Sequence, residues 1–193
     1  MPRPRKVSEE TILQTARDIF ISRGPSASTH LIAEALGLST AALFNHFPTK
    51  KDLLIAALAP PKRIPWITQL KDGPNSDDLE VQLLRIAHSI QSFFIEMGPR
   101  LLVLHASEIK RSELFAYYDI PPPLMAIQGL QEWLEQAKIK GLIREIDARN
   151  TAQSFLGALH FDVFLMHISN KTEQRPSLDI HILASIFAKG LRP

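Results

Sequence analysis

The stretch IAEALGLSTAALFNHFPTKKDLL, residues 32–54, contains the helix start and stop signals that decide the fold. Apolar residues at helical spacing run up to Leu36, Gly37 follows, and Ser39 then opens a second run. Glycine adopts the left-handed conformation that ends a helix, and serine is a preferred N-cap. Leu38 lies between them and can pack against both helices. Two short helices joined by such a turn match a helix-turn-helix.

Signals on either side extend this pair into a small domain. Ser8 is placed to cap a first amphipathic helix, and Ser28 to cap the helix that leads into the turn. Thr49 follows a proline and is placed to cap a connecting helix over residues 50–59. We therefore predict an N-terminal three-helix domain, with its connecting helix, over residues 1–59.

The remaining residues, 62–193, show helical periodicity and no strand alternation of consequence. Residues 62–75 contain Pro and Gly and predict an irregular connector. Helices are predicted over 76–97, ended by Gly98-Pro99, and over 100–110, 124–140, 148–169 and 177–189. The sequence thus predicts an all-α protein with a C-terminal helical domain over 62–193.

Composition excludes several classes of protein. The 193 residues include no Cys, so disulfide scaffolds, Cys-based zinc sites and thiol catalysis are excluded. No signal peptide is recognisable, and the most apolar stretch, residues 151–170, contains too many polar side chains for a membrane span. We expect a cytoplasmic protein with no membrane association.

The net charge of +2 is unevenly distributed. Up to residue 52 the chain has seven Lys and Arg against five Asp and Glu, and the rest has fifteen of each. Arg3, Arg5 and Lys6 form a basic arm ahead of the first helix. Such an arm is suited to phosphate contact or minor-groove insertion, although a solvated terminus has the same composition.

The second helix of the pair begins with small and polar residues, among them Thr40, Ala41, Ala42 and Asn45. Small side chains let a helix approach the major groove, where Thr, Asn and Ala methyl groups read base edges. A helix pair with a Gly turn is also common in all-α proteins that bind no DNA. On the residues alone, both interpretations stay open.

A resemblance favours DNA binding. Ile12-Leu13, Ala16, Phe20 and Gly24, then residues 32–39 and 43–54, resemble the N-terminal domain of TetR-family transcription regulators in fixed register. The resemblance covers about the first quarter of the chain. It implies a helix-turn-helix that binds DNA and a C-terminal domain that binds an effector and dimerises.

The resemblance also implies roles for individual residues. Thr29, His46 and Lys50 occupy phosphate-contact positions, and Phe44 stands where the family usually has Tyr, so that hydroxyl contact is lost. With the basic arm, the predicted DNA-binding residues are Arg3, Arg5, Lys6, Thr29, Ser39, Thr40, Ala41, Asn45, His46 and Lys50.

The last two predicted helices are apolar on more than one side. A helix of this kind needs burial on two sides, either within a large monomer core or against a partner. A two-fold homodimer that joins these helices into a four-helix bundle is the economical solution, and it resembles the family's arrangement. It would present two recognition helices to half-sites about 34 Å apart.

An effector cavity among the helices from 76 to 169 is implied by the resemblance, with an apolar or aromatic molecule preferred. The predicted ligand-binding residues are Phe93, Phe94, Met97, His105, Met125, Gln128, Trp133, Phe155, Leu159 and His160. The same residues would also serve as plain core or surface.

No enzymatic motif is present, such as a Gly-rich phosphate loop or a nucleophile elbow. His105 with Glu108, and His160 with His167, have helical spacings that a metal pair can use, but the flanking ligand density of metal motifs is missing. We expect no catalysis, no metal and no cofactor.

The sequence therefore predicts a homodimeric transcriptional regulator, a repressor that binds a palindromic operator and is released by a small effector. The alternative is an all-helical small-molecule-binding or enzymatic module without DNA binding. A constitutive architectural DNA binder without an effector is a third possibility.

Overall fold

The computed structural model describes residues 7–168 and 178–193, and within them all secondary structure is helical. The ten helices of this part are α1 Glu9–Arg23, α2 Thr29–Ala35, α3 Thr40–His46, α4 Lys50–Leu58, α5 Pro65–Leu70, α6 Leu79–His105, α7 Arg111–Phe115, α8 Pro122–Ile139, α9 Ala148–Ile168 and α10 Ile180–Leu191. The all-α fold class is confirmed. None of these helices combines the length and the apolarity that crossing a membrane requires.

The chain forms two compact units. Of the described residues, 7–60 and 99–117 form the first unit, and 61–98, 118–168 and 178–193 form the second. The sequence pattern did not predict that residues 99–117 group with the N-terminal helices. The predicted domains, 1–59 and 62–193, stay a prediction.

In the first unit, α1 packs against α2 and α4, and α2 packs against α3. The core is built from residues that are almost wholly excluded from solvent, including Ile12, Phe20, Ile32 and Leu43. Burial of such side chains stabilises the unit by about 1.5–3 kcal/mol each. Arg17 adds a polar tie, because its Nε donates to the Ala57 carbonyl at 3.0 Å.

In the second unit, α8 packs against α5 and α9. Its core draws residues from α5, α6, α8, α9 and α10, among them Ile90, Leu134, Phe155 and Ala184. The Ile67 side chain of α5 lies close to Gly129 of α8, where an added Cβ would lie 2.7 Å from the Ile67 Cγ2. Glycine is required at that crossing for packing, not for its backbone conformation.

Two predicted boundaries are wrong. The Gly98-Pro99 pair lies inside α6, which continues to His105, and the predicted helix over 100–110 ends there. Proline removes one helical hydrogen bond, yet the helix continues, with Met97 before Pro99 and Leu104 after it both buried. The last predicted helices begin or end among residues 169–177, so those ends lie outside the described residues.

The predicted irregular connector over 62–75 is also wrong in part, because it contains α5. Pro65 stands at the first position of that helix, where its missing N–H costs no helical hydrogen bond. Trp66, Ile67 and Leu70 are buried on one side of α5. Pro65 therefore begins a helix in this segment.

Candidate nucleic-acid interface

The turn between α2 and α3 has the geometry that its sequence predicts. Gly37 has φ 65°, and the Leu38 N–H donates to the Ala33 carbonyl at 2.8 Å. The Gly37 N–H donates to the Glu34 carbonyl at 3.0 Å. These two bonds form a Schellman motif, which satisfies the last carbonyls of α2 and sets the direction in which the chain enters α3.

Side-chain caps fix the start of each helix in this region. Ser28 Oγ accepts from the His30 N–H at 3.2 Å, and Ser39 Oγ accepts from the Ala42 N–H at 3.1 Å. Thr49 and Asp52 form a reciprocal capping box at the start of α4. The predicted cap at Ser8 is present as well, since its Oγ accepts from the Thr11 N–H. The starts of α1 to α4 are therefore set locally, as predicted.

One side of α3 is exposed and the other is buried. Leu43 is fully excluded from solvent, whereas Ala41, Asn45 and His46 are exposed and Thr40 is half-buried. His46 therefore does not act as a core residue. The exposed side carries an amide and a methyl group, which are chemical groups that read base edges in the major groove.

The predicted phosphate contacts lie at helix starts. Thr29 and Lys50 are the first residues of α2 and α4, and each is half-buried. A helix start favours anions because its first N–H groups point outward. Arg3, Arg5 and Lys6 lie outside the described residues.

Lys51 differs from its neighbour. Its Nζ lies 2.7 Å from the Glu113 Oε1, and this ion pair, with the Lys110 N–H bond, lowers the pKa of Glu113. Among the described residues, Lys50 has no such ion pair. Lys50 is therefore the better placed of the two for a phosphate.

The helix-turn-helix region matches a known family. Residues 12–57 match the family model described as bacterial regulatory proteins of the tetR family. This match agrees with the prediction from sequence that the N-terminal helices form the DNA-binding domain of a transcriptional regulator. No match was found among curated proteins.

Solved structures share the fold of this chain over nearly its whole length. A putative TetR-family transcriptional regulator from Mesorhizobium loti is 17% identical with a TM-score of 0.70, covering 93% of this chain and 92% of its own. A structure described as the molecular basis for control of antibiotic production by bacterial hormones is 25% identical with a TM-score of 0.67, covering 97% and 100%. AibR, in complex with isovaleryl coenzyme A and operator DNA, is 21% identical with a TM-score of 0.55, covering 94% of each.

Six of the ten predicted ligand-binding residues lie in, or pack against, the apolar core of the second unit. Trp133, Phe155 and Leu159 are core residues, Met97 is buried, and Phe93, Phe94 and Met125 are half-buried against the core. Gln128 and His160 are exposed, and His105, also exposed, belongs to the first unit. The His160 ring contacts Phe94 edge-on at 5.0 Å. Their binding role stays a prediction.

The second unit contains a cleft of about 500 Å³ that the sequence did not indicate. Of the ten predicted ligand-binding residues, Trp133 alone lines it, together with Trp66 of α5. The one feature of the sequence that could have indicated this cleft is its pair of Trp residues, because large aromatic side chains often line pockets. Within residues 7–168 and 178–193, no three His, Cys, Asp or Glu side chains are placed to hold a metal ion.

Proposed function

We propose that this chain is a homodimeric repressor that binds a palindromic operator through α3 and is released by a small molecule. The observation that carries the proposal is the capped α2–turn–α3 unit, which holds the exposed Ala41, Asn45 and His46 on one rigid helix. A rigid helix positions side chains more precisely than a loop does, and base readout requires such precision.

The DNA contacts divide into two kinds. Thr40, Ala41 and Asn45 are proposed to contact base edges, and Thr29, His46 and Lys50 to contact phosphates. Ser39 differs from the others because its Oγ already accepts the α3 cap bond, so it can act on DNA as a donor. The basic arm, with Arg3, Arg5 and Lys6, would add phosphate or minor-groove contacts.

The dimer is proposed to form through α9 and α10. Phe161, Phe164 and Ile168 recur at spacings of three and four along α9, and each is at least 41% exposed. Ile182 and Ile186 recur in the same way along α10 and are 59% and 61% exposed. The described part of one chain leaves these side chains uncovered. A second copy would bury them by a two-fold contact.

Release by an effector is proposed because the second unit has a cleft large enough for a small molecule. The structural relative AibR is described in complex with both isovaleryl coenzyme A and operator DNA. An effector that binds one arrangement of the dimer better than the other would change the spacing of its two DNA-binding domains and lower operator affinity. We further propose that the protein acts in the cytoplasm, catalyses no reaction and needs no cofactor.

The experiment is selection of bound DNA from a random library with the purified full-length protein. The expected result is an inverted repeat whose half-site centres are about one helical turn, or a multiple of it, apart. Binding to the selected DNA should weaken steeply with salt, because each phosphate contact releases counterions. Failure to enrich any sequence, with no salt-dependent binding to duplex DNA, would favour a helical binding module without a DNA role.

A further inference from the structure

An ion pair connects the first turn of α4 with α7 in the first unit. The Lys51 Nζ lies 2.7 Å from the Glu113 Oε1, and the two residues are far apart in sequence. Lys51 shares its turn with Lys50, which is proposed to contact a DNA phosphate. A lysine carries its charge on a flexible four-carbon stem. Without Glu113, Lys51 would therefore be suited to a second phosphate contact beside that of Lys50.

Glu113 is held in place by more than its contact with Lys51. Its Oε2 accepts a hydrogen bond from the Lys110 N–H at 3.2 Å, and the next residue, Leu114, packs against the core of the unit. The hydrogen bonds from Lys51 and from the Lys110 N–H lower the pKa of Glu113 below its ordinary value. The carboxylate is therefore ionised at neutral pH and stands at a defined position.

The carboxylate next to Lys51 in sequence is occupied elsewhere. The Asp52 Oδ2 accepts from the Thr49 N–H at 3.1 Å and from the Thr49 Oγ1 at 2.7 Å, in the capping box of α4. Lys50 has no ion pair in the part of the chain that the structure describes. Of two neighbouring ammonium groups, one is thus bonded to Glu113, and the other is available to DNA.

The ion pair contributes little to stability. The side chains of Lys51 and Glu113 are 45% and 39% exposed, and water screens an ion pair of this kind. The same exposure leaves both side chains accessible to a DNA backbone. An ammonium bonds a phosphate oxygen at about the distance at which Lys51 bonds Glu113. A phosphate and the Glu113 carboxylate are therefore alternative partners for one ammonium group.

We propose that Glu113 competes with the DNA backbone for Lys51 and so limits the sequence-independent part of the DNA affinity. The carboxylate withholds one ammonium group from phosphate, and that group then releases no counterion from DNA. A phosphate contact is present on every sequence, so withholding one shortens the time that the protein spends on DNA other than its operator. This inference rests on the proposed function as a DNA-binding regulator.

The test compares Glu113→Gln with the wild-type full-length protein on the selected operator and on a duplex of random sequence. Glutamine keeps the size of the side chain and removes its charge. Affinity is expected to rise about three-fold on both DNAs, as one exposed charge contact predicts. The slope of the logarithm of the binding constant against the logarithm of salt concentration should steepen by about 1. Fluorescence anisotropy at several salt concentrations measures both quantities.

The control is Glu108→Gln, which removes a carboxylate from another exposed position of the first unit and should leave the slope unchanged. A double-mutant cycle isolates Lys51: with Lys51→Ala also present, Glu113→Gln should raise the affinity less and should not steepen the slope. Equal gains with and without Lys51 would show that Glu113 acts through its own charge alone, and would overturn the proposal. Glu113→Gln with wild-type DNA binding would overturn it as well.

A further measurement needs no variant of Glu113. Lys51→Ala alone should keep the wild-type slope, because the proposal gives Lys51 no phosphate contact while Glu113 is present. A slope that becomes shallower by about 1 would show that Lys51 already contacts DNA, and the competition would be refuted.

Failure of this inference is distinguishable from failure of the proposed function. A wild-type protein that binds duplex DNA with a steep salt dependence, but is insensitive to Glu113→Gln, keeps the proposed function and loses the role of Glu113. A wild-type protein that binds no duplex DNA overturns both, since nothing then competes for Lys51.

Discussion

Lys50 and Lys51 are adjacent in sequence but differ in their surroundings. Lys51 is paired with Glu113, whereas Lys50 stands half-buried at the first position of α4 without an ion pair in the described structure. Nothing in the sequence of two adjacent lysines indicates which of them is free to contact DNA. Their different environments come from α7, which supplies Glu113 from a distant part of the sequence.

Replacing Lys50 by Ala is expected to weaken binding to the selected operator and to random duplex DNA by similar factors. The reason is that a phosphate contact is present on every sequence. The slope of the logarithm of the binding constant against the logarithm of salt concentration should fall by about 1. Fluorescence anisotropy at several salt concentrations measures both quantities.

The control for this prediction is Lys62→Ala, which removes the same charge from an exposed position in the second unit. It should leave the slope unchanged. A slope that is the same for Lys50→Ala and the wild-type protein would remove Lys50 from the phosphate contacts.

Asn45 is exposed on α3 and can make two hydrogen bonds to one base edge. Asn45→Ala is expected to lose about ten-fold in affinity for the selected operator and much less for random DNA, because a good bidentate contact discriminates by about 1–3 kcal/mol. Competition binding with both DNAs measures the ratio. Equal losses on the two DNAs would show that Asn45 does not read bases.

At the scale of elements, the turn between α2 and α3 depends on one backbone conformation. Gly37 has φ 65°, and an added Cβ there would meet no atom within 4 Å. A side chain at position 37 therefore costs conformational free energy and causes no steric clash. This cost would destabilise the turn that positions α3.

Gly37→Ala is expected to lower the free energy of unfolding of the first unit by about 1–2 kcal/mol, the cost of the left-handed conformation for an L-residue. Gly37→Asn should lose less, because asparagine adopts that conformation more readily. Urea unfolding followed by circular dichroism measures both variants. If Ala and Asn are equally destabilising, the backbone argument is wrong.

The Gly98-Pro99 pair shows why helix ends can be misread from sequence. Glycine followed by proline is a strong local stop signal, and it predicts the end of a helix. In the structure α6 continues through it, and Gly98 serves another purpose: an added Cβ would lie 2.5 Å from the His167 Cε1 of α9. A side chain at position 98 would force the His167 ring, nearly seventy positions away, to shift, and no local signal records this neighbour.

At the scale of the whole molecule, the apolar residues on the outer sides of α9 and α10 need a partner. Ile186 is 61% exposed in the single chain, and Ile139 at the end of α8 is 85% exposed. Exposure alone does not separate an interface residue from an isolated one. The proposed dimer interface includes Ile186 and leaves out Ile139.

Ile186→Asp is expected to raise the dimer dissociation constant by about 100-fold or more, because a two-fold interface contains the substitution twice and each buried Ile contributes about 1.5–3 kcal/mol. Ile139→Asp is the matched control and should leave the dimer intact. Sedimentation velocity at micromolar concentration measures both. A wild-type protein that is monomeric there, or a dimer that tolerates Ile186→Asp, would contradict the interface.

The helix starts and the turn around the proposed DNA-binding residues were predictable because their information is local. Caps at Ser28, Ser39 and Thr49 and the turn at Gly37 each act within a few positions along the chain. The periodicity around them predicts which side of each helix is buried, and Leu43 is indeed fully buried. The predicted effector-binding residues have no such local signal, and their binding role stays a prediction, because most of them also serve as core of the second unit.

The sequence by itself determined an all-helical protein, the first four helices with their caps, and a helix-turn-helix that resembles the TetR family. These features depend on side chains that act on their own backbone within one or two turns. The tertiary structure decided the passage of α6 through Pro99, the existence of α5, the ion pair that occupies Lys51, and the cleft lined by Trp66. Each of these features depends on contacts between residues that are far apart in sequence, and such contacts outweigh the local signals. A whole-chain quantity such as the net charge of +2 contains no information about them.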